Sequence, residues 1–228
     1  MSLTVLERLG RKIAATSAES SGVKAVVTKV ARAIHYDLRH LVRVVHEQEC
    51  LGWIEKLGPA SLDVLEISAG AAWRGLPFRS YTEMNYPEYD ICRDRVPRQF
   101  DLVIADQVFE HLLWPYRAGR NVCAMLRPGG HFLVMTPFLI RIHDVPVDCS
   151  RWTETGLRYL LAECGFELDG IRTGAWGNRS ALNANLVYWA RVGWRRRFPN
   201  EAPYPLSVWA LARKPVEHCP SSKTGPGQ

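Results

Sequence analysis

Residues 100–137 read FDLVIADQVFEHLLWPYRAGRNVCAMLRPGGHFLVMTP, and the order of residues in this stretch decides the fold. Leu102-Val103-Ile104-Ala105 is a short apolar run, as expected for a strand covered on both faces. Asp106-Gln107 and Glu110-His111 then put polar groups just past that strand's carboxyl end. Pro115 suits the first turn of a helix, which Arg127-Pro128-Gly129-Gly130 stops and turns. His131 to Met135 supplies the next strand. In an open α/β sheet, ligands bind outside the carboxyl ends of the strands. The unit therefore locates a site before it names a chemistry.

Upstream, Leu62 to Ile67 is an apolar strand running into the small-residue turn Ser68-Ala69-Gly70-Ala71-Ala72. A second short strand is expected over Arg79 to Thr82, ending at Glu83, and a third near Tyr89 to Cys92. Strands alternating with helices predict a parallel sheet with right-handed crossovers. The link Met84 to Glu88 is too short for a crossover helix, so either that helix is missing or one strand is misassigned. Residues 1–58 read as helical. Val23 to Val45 carries apolar positions at helical spacing, with Lys24, Lys29, Arg32, Arg39 and Arg43 off that face. A further helix ends near Leu57-Gly58. This N-terminal segment, with Tyr36, Asp37 and His40, reads as a helical extension or a lid.

Downstream, a polar loop over residues 139–152 leads to Thr153, which caps a helix from Glu154 to Cys164 that Gly165 closes. Phe166 to Thr173 and Tyr204 to Arg213 read as an antiparallel edge pair around a helical insertion, Gly174 to Asn200. Residues 59–214 are expected to form one domain. The tail from Pro215 is rich in Pro, Ser and Gly and is expected to be disordered.

Composition sets the outer limits. At 228 residues, 47% hydrophobic and 23% charged, the chain fits one well-buried α/β domain. No apolar run reaches the roughly 18 residues of a membrane span. Glu7, Arg8, Arg11 and Lys12 interrupt any secretion-signal core, so a cytoplasmic protein is expected. The six cysteines form no CxxC pair, which argues against a zinc cluster or redox motif. A net charge of +6 leaves room for an anionic partner without demanding one. Arg195-Arg196-Arg197 is a dense basic run, but no nucleic-acid recognition motif accompanies it.

The series VLEISAG, FDLVIADQVFEHL, then LRPGG followed by a strand and TPF, resembles the class I S-adenosylmethionine-dependent methyltransferases over roughly Leu62 to Arg213. The resemblance implies a Rossmann-like α/β fold: a mostly parallel sheet with an antiparallel C-terminal edge strand, helices on both faces, and here an added N-terminal helical extension. It implies S-adenosylmethionine as cofactor. Glu66, Ser68 and Gly70 fall on its first-strand motif, and Glu83 on the acid that takes the ribose hydroxyls. Asp90 and Ile91 fall where the family contacts adenine, and Asp106 and Gln107 where it lines the methionine half. The chemistry agrees, because a carboxylate accepts two hydroxyls and a small-residue turn allows close approach. The turn departs from the family pattern by keeping one glycine, Gly70. Asn85 or Glu88 can take the place of Glu83.

Residues 141–153, RIHDVPVDCSRWT, look like the H-x-x-P-x-D-x-x-R-W-T segment of a branch linked to bacterial glycan methylation. A narrower resemblance is to the small enzymes of mycobacterial methylmannose polysaccharide synthesis. Methylating a hydroxyl needs a base of near-neutral pKa. His143 beside Asp144 offers one, and His111 is the alternative; Glu110 reads as an anion at a helix start. Asp148 and Arg151 either bind substrate or pin the loop. His143, Asp144 and Asp148 can also hold a divalent metal such as magnesium. Trp152 and Trp176, with Tyr188 and Trp189, are candidates for stacking on a sugar, and Trp176-Gly177-Asn178-Arg179 is the favoured one. The expected activity is O-methylation of a sugar or short oligosaccharide. The alternatives are methylation of a natural-product hydroxyl and a non-catalytic binding module.

Overall fold

Apolar side chains facing both ways along a strand need cover on both sides, and helices supply most of it here. The computed structural model describes residues 28–31, 33, 34, 36–70, 72–193 and 198–216. Its strands and helices run β1 (Asp37–His40), α1 (Leu41–Leu57), β2 (Asp63–Ile67), β3 (Ser80–Met84), β4 (Phe100–Asp106), α2 (Pro115–Met125), β5 (Leu126–Pro137), α3 (Glu154–Glu163), β6 (Ile171–Trp176), α4 (Arg179–Val187), β7 (Arg191–Gly193) and β8 (Ser207–Arg213). Six strands form the central sheet in the order β3-β2-β4-β5-β8-β6. The pairs among β3, β2, β4 and β5 are parallel, and β8 runs antiparallel to both β5 and β6. This is the mostly parallel, Rossmann-like sheet that the sequence predicts, with the antiparallel C-terminal strand β8 set one place in from the edge strand β6.

Side chains of period two divide between two cores. Val64, Leu102, Ile104, Leu133 and Met135 pack against Cys50, Trp53 and Ile54 of α1. Leu65, Val103, Ala105, Phe132 and Val134 pack against Val122 of α2 and Leu157, Leu160 and Leu161 of α3. Gly58, at φ +73°, ends α1 in the left-handed region that glycine enters without cost. The Thr153 hydroxyl accepts from Gly156 N and caps α3 as predicted. At the amino ends of the strands, Asp63 takes hydrogen bonds from Arg79, Ser80 and Arg127.

Four expectations need correction. Asp37–His40 is a strand, not part of a helix, because its backbone pairs with Arg191–Gly193 across the chain. No third strand forms near Tyr89: the Asp90 carboxylate captures Cys92 N at 2.9 Å, its carbonyl takes Arg93 N and Asp94 N, and the chain turns. The strand expected at Phe166 begins at Ile171 and runs on to Trp176. Among the described residues, neither 68–79 nor 85–99 holds an α-helix, so turns connect β2 to β3 and β3 to β4. Val23 to Val27, the run Arg195-Arg196-Arg197 and the tail from residue 217 lie outside the described residues.

Candidate active site at the carboxyl edge of the sheet

Parallel register brings the acids to one level. Glu66 at the end of β2 pairs with Glu83 on β3, and Ile104, two residues before Asp106, pairs with Glu66 from β4. The residues following β2 and β4, Ser68 (φ +53°) and Gln107 (φ +57°), both sit in the left-handed region. Non-glycine residues there carry strain that tends to collect at functional sites. Ser68 N donates to Met84 O and Gln107 N to Met135 O, so each bend is held by the neighbouring strand.

Glu66 is buried; its Oε1 accepts from Gly70 N at 2.8 Å and its Oε2 from the Tyr81 hydroxyl. Burial raises its pKa, and these two bonds counter that. Glu83 is half-buried and paired with the exposed Arg74, whose Nη2 lies 2.5 Å from Oε1. Burial also works to raise Asp106, but His46 and the charge of Arg43 hold its carboxyl below the usual range. His46 Nε2 stands 3.5 Å from Asp106 Oδ1. Gln107 Nε2 is buried without a partner and so remains a donor for a ligand. Gly70 and Ser68 are exposed at the turn, whereas Ile91 is tucked into the core, with its carbonyl held by Asn121. Asp90 is spent largely on its own turn.

A pocket of about 160 Å³ opens beside Gln107. Its polar wall is Gln107, His40, Arg43, His143, Asn185 and Trp189, over an apolar base of Val42, Pro137, Ile140, Ala190 and Leu206. Burial and the nearby Arg191 and Arg43 push His40 down to about 4. Burial lowers His143 too, with His111 adding to the effect, so both rings are neutral at pH 7. Arg141 stacks over Trp189 at 4.2 Å, and its Nη1 donates to Asn185 O at 2.6 Å, which fixes the pocket's outer wall.

The polar loop is zipped to the residues after β4. Cys149 N and Ser150 N donate to Glu110 O at 2.7 and 3.2 Å, and His111 Nδ1 meets Val147 O. Glu110 is fully buried, and neither carboxylate oxygen has a partner. Burial drives its pKa up to about 8. His111 Nε2 lies 3.7 Å from Glu110 Oε1, and the ring of His143 is edge-on to that of His111 with centroids 5.0 Å apart.

The structure thus sorts the predicted residues. His143, His111 and Gln107 come together, with Glu66, Glu83 and Asp106 along the same edge. Asp148 is committed to the loop: both its oxygens meet Arg151, and Oδ2 accepts from His143 N at 2.9 Å. Asp144 is exposed, so His143, Asp144 and Asp148 do not assemble a metal set. Among the described residues the metal-capable groups are Glu110, His111 and His143, and separately His46, Glu47 and Asp106. Trp152 packs partly buried against the core. Trp176 is 5% exposed, with its Nε1 donating to Phe198 O, and has no face for a sugar. Asn178 caps α4 through Ala181 N, and Gly177 N donates to Asn200 Oδ1, so Trp176-Gly177-Asn178-Arg179 is a structural junction. Arg43, Asn185 and His46 were missed: they meet the site only through tertiary packing. Glu110 was seen but misread, since no local pattern marks its burial.

Residues 63–134 match the family model of a methyltransferase domain. No curated protein sequence matches the chain. Among solved structures, the chain is similar to an S-adenosylmethionine-dependent methyltransferase from Archaeoglobus fulgidus (11% identity, TM-score 0.51, covering 75% of this chain and 94% of that one). It is similar to the cyclase SpnF (17%, 0.52, 75% and 81%). A third likeness is to phosphoethanolamine N-methyltransferase 2 from Haemonchus contortus in complex with S-adenosyl-L-methionine (12%, 0.50, 74% and 52%). At these identities the likenesses establish the fold alone, and the domain match supports methyl transfer.

Proposed function

We propose that this chain, carrying a methyltransferase domain, methylates a hydroxyl of a sugar or short oligosaccharide with S-adenosylmethionine as donor. The observation that carries the reading is the position of Gln107. Its backbone ends the strand bearing Asp106, and its side chain walls the pocket that holds His143. One residue therefore links the acid-lined edge to an acceptor-sized cavity.

The donor's residues fit on chemical grounds. Glu83 is suited to two ribose hydroxyls once Arg74 swings away, and an ion pair to an arginine this exposed is weakly held. Glu66 orders the turn through Gly70 N, Asp106 suits an ammonium, and the unpartnered Gln107 Nε2 suits a carboxylate. When bound, S-adenosylmethionine supplies an electrophilic methyl group on a positively charged sulfur. The pocket's contribution is alignment of the acceptor oxygen. That oxygen must lose its proton as it attacks. His143 is the neutral wall residue it meets, with a lone pair for the proton or for a cation that acidifies the hydroxyl. Trp189, already stacked by Arg141, offers an aromatic edge to an apolar sugar face.

Calorimetric titration with S-adenosylhomocysteine tests the donor site, and the expected result is one binding event per chain. Absence of heat at millimolar ligand overturns the reading. A panel of glycans and of phenolic and polyketide hydroxyls then separates a sugar acceptor from a natural-product scaffold.

A further inference from the structure

Two acceptors confront each other across 3.7 Å beside the pocket. His111 Nδ1 contacts Val147 O, and a carbonyl oxygen only accepts, so the ring hydrogen sits on Nδ1. In the neutral ring Nε2 is then a lone pair, 3.7 Å from Glu110 Oε1. Glu110 offers further lone pairs, is 0% exposed, and has no hydrogen-bond donor on either oxygen. His143 closes the third side: ligand atoms of Glu110, His111 and His143 all lie within 4.8 Å of one another. A fully buried carboxylate with no donor on either oxygen, facing two half-buried imidazoles, calls for a positive charge at the centre of the group.

We propose that Glu110, His111 and His143 form a binding site for one divalent first-row transition-metal ion. Two imidazoles and one carboxylate are the donor set that favours iron(II), zinc or manganese over magnesium or calcium. Metal–ligand bonds of about 2.0–2.2 Å put neighbouring donor atoms about 3 Å apart, so the 3.7 Å contact has to close by under about 1 Å. The contact of His111 Nδ1 with Val147 O is the outer support that fixes the tautomer and ring orientation of a metal-bound histidine. Backbone bonds from Cys149 and Ser150 to Glu110 O hold the loop against the same residue, so the three side chains are kept near one another without an ion.

Three protein ligands leave coordination positions open, and His143 also walls the 160 Å³ pocket. On the proposed acceptor reading, an open position receives the acceptor hydroxyl, whose proton passes to solvent through the pocket as the ion acidifies it. His143 then serves as a ligand and not as a free base. The raised pKa of Glu110 marks the competing state, in which a proton occupies the gap instead.

The test is titration of the full chain, stripped with EDTA, by cobalt(II) or zinc followed by calorimetry and, for cobalt, visible absorption. The expected result is one ion per chain, with affinity reduced about a hundredfold or more in Glu110→Gln and in His143→Ala. No binding above buffer background overturns the site, and protonated Glu110 then accounts for the pocket. Binding that survives both substitutions belongs to another cluster and equally overturns it. Glu110→Gln keeps the buried shape, and its circular dichroism reports folding. Because metal binding is read without donor or acceptor, it fails or succeeds independently of the S-adenosylhomocysteine titration.

Discussion

His46, wholly buried on α1, directs Nε2 at Asp106 Oδ1 from 3.5 Å, joining the N-terminal helix to the edge that carries the acids. His46 Nδ1 lies 3.1 Å from Ser207 Oγ, whose hydroxyl also lies within hydrogen-bond reach of Thr136 O. Ring orientation is thereby set from β8, and the other nitrogen is left for Asp106.

His46→Leu strands a buried carboxylate. Leaving a buried acceptor without its facing polar group costs about 1–3 kcal/mol, so chemical denaturation should show a loss of that order. Asp106→Asn should leave stability closer to the parent and weaken S-adenosylhomocysteine binding. Unchanged affinity in Asp106→Asn would detach this acid from the donor site.

Arg74 and Glu83 give a reciprocal pair of expectations. Glu83→Ala removes a charged acceptor worth about 1.5–3 kcal/mol in hydrogen bonds, which is roughly a tenfold to hundredfold loss of S-adenosylhomocysteine affinity. Arg74→Ala removes the competing cation, and affinity should hold or rise a few-fold. If both variants weaken binding alike, Arg74 contacts the ligand rather than shielding its partner.

The two tryptophans at either end of α4 separate by role. Trp189→Ala should raise the acceptor KM by about tenfold, as expected for the loss of about 1.5 kcal/mol of stacking and packing. Trp176→Phe should leave KM alone and lower the melting temperature, because Trp176 belongs to the core. Gly177→Ala should be the harsher lesion: an added Cβ would meet Tyr204 O at 1.9 Å, and backbone cannot yield as a side-chain tip can. Soluble expression and thermal unfolding read this directly.

Asp63 predicts an acid limit. Hydrogen bonds from Arg79, Ser80 and Arg127 hold its carboxyl well below the usual carboxylate range. A depressed carboxyl stabilises the fold above its unfolded pKa, and that contribution is lost as pH falls through the folded one. The loss therefore begins below about pH 4. Asp63→Asn should be less stable at pH 7, with the difference from the parent shrinking as the solution is acidified beyond that point. A difference that stays constant with pH would assign the effect to packing.

The parallel strands were legible because Leu102 to Ala105 and Leu62 to Ile67 are rich in apolar side chains that pack to both faces of the sheet. β1 was not, since Asp-Leu-Arg-His becomes a strand only by meeting Arg191–Gly193, far along the chain. The turn at Asp90 was missed because a side-chain bond to Cys92 N competes locally with any ladder. At the site, the acids and His143 could be named from their place after strands. The isolation of Glu110 could not, because the loop at residues 147–150 covers it, and that loop is distant in sequence. Trp176 misled for a related reason: an aromatic before a helix cap looks the same whether it faces ligand or core.

Helices brace only part of the sheet. Beyond β2 and β3, turns take their place, and in residues 68–79 Trp73 is the fully buried anchor. Segments with few buried apolar contacts open at little free-energy cost. A donor settling on Glu66 and Glu83 would therefore stiffen chain as well as cover it. The signature is calorimetric: a heat-capacity change on S-adenosylhomocysteine binding more negative than the ligand's own area supplies, matched by slowed amide exchange between Ser68 and Arg79.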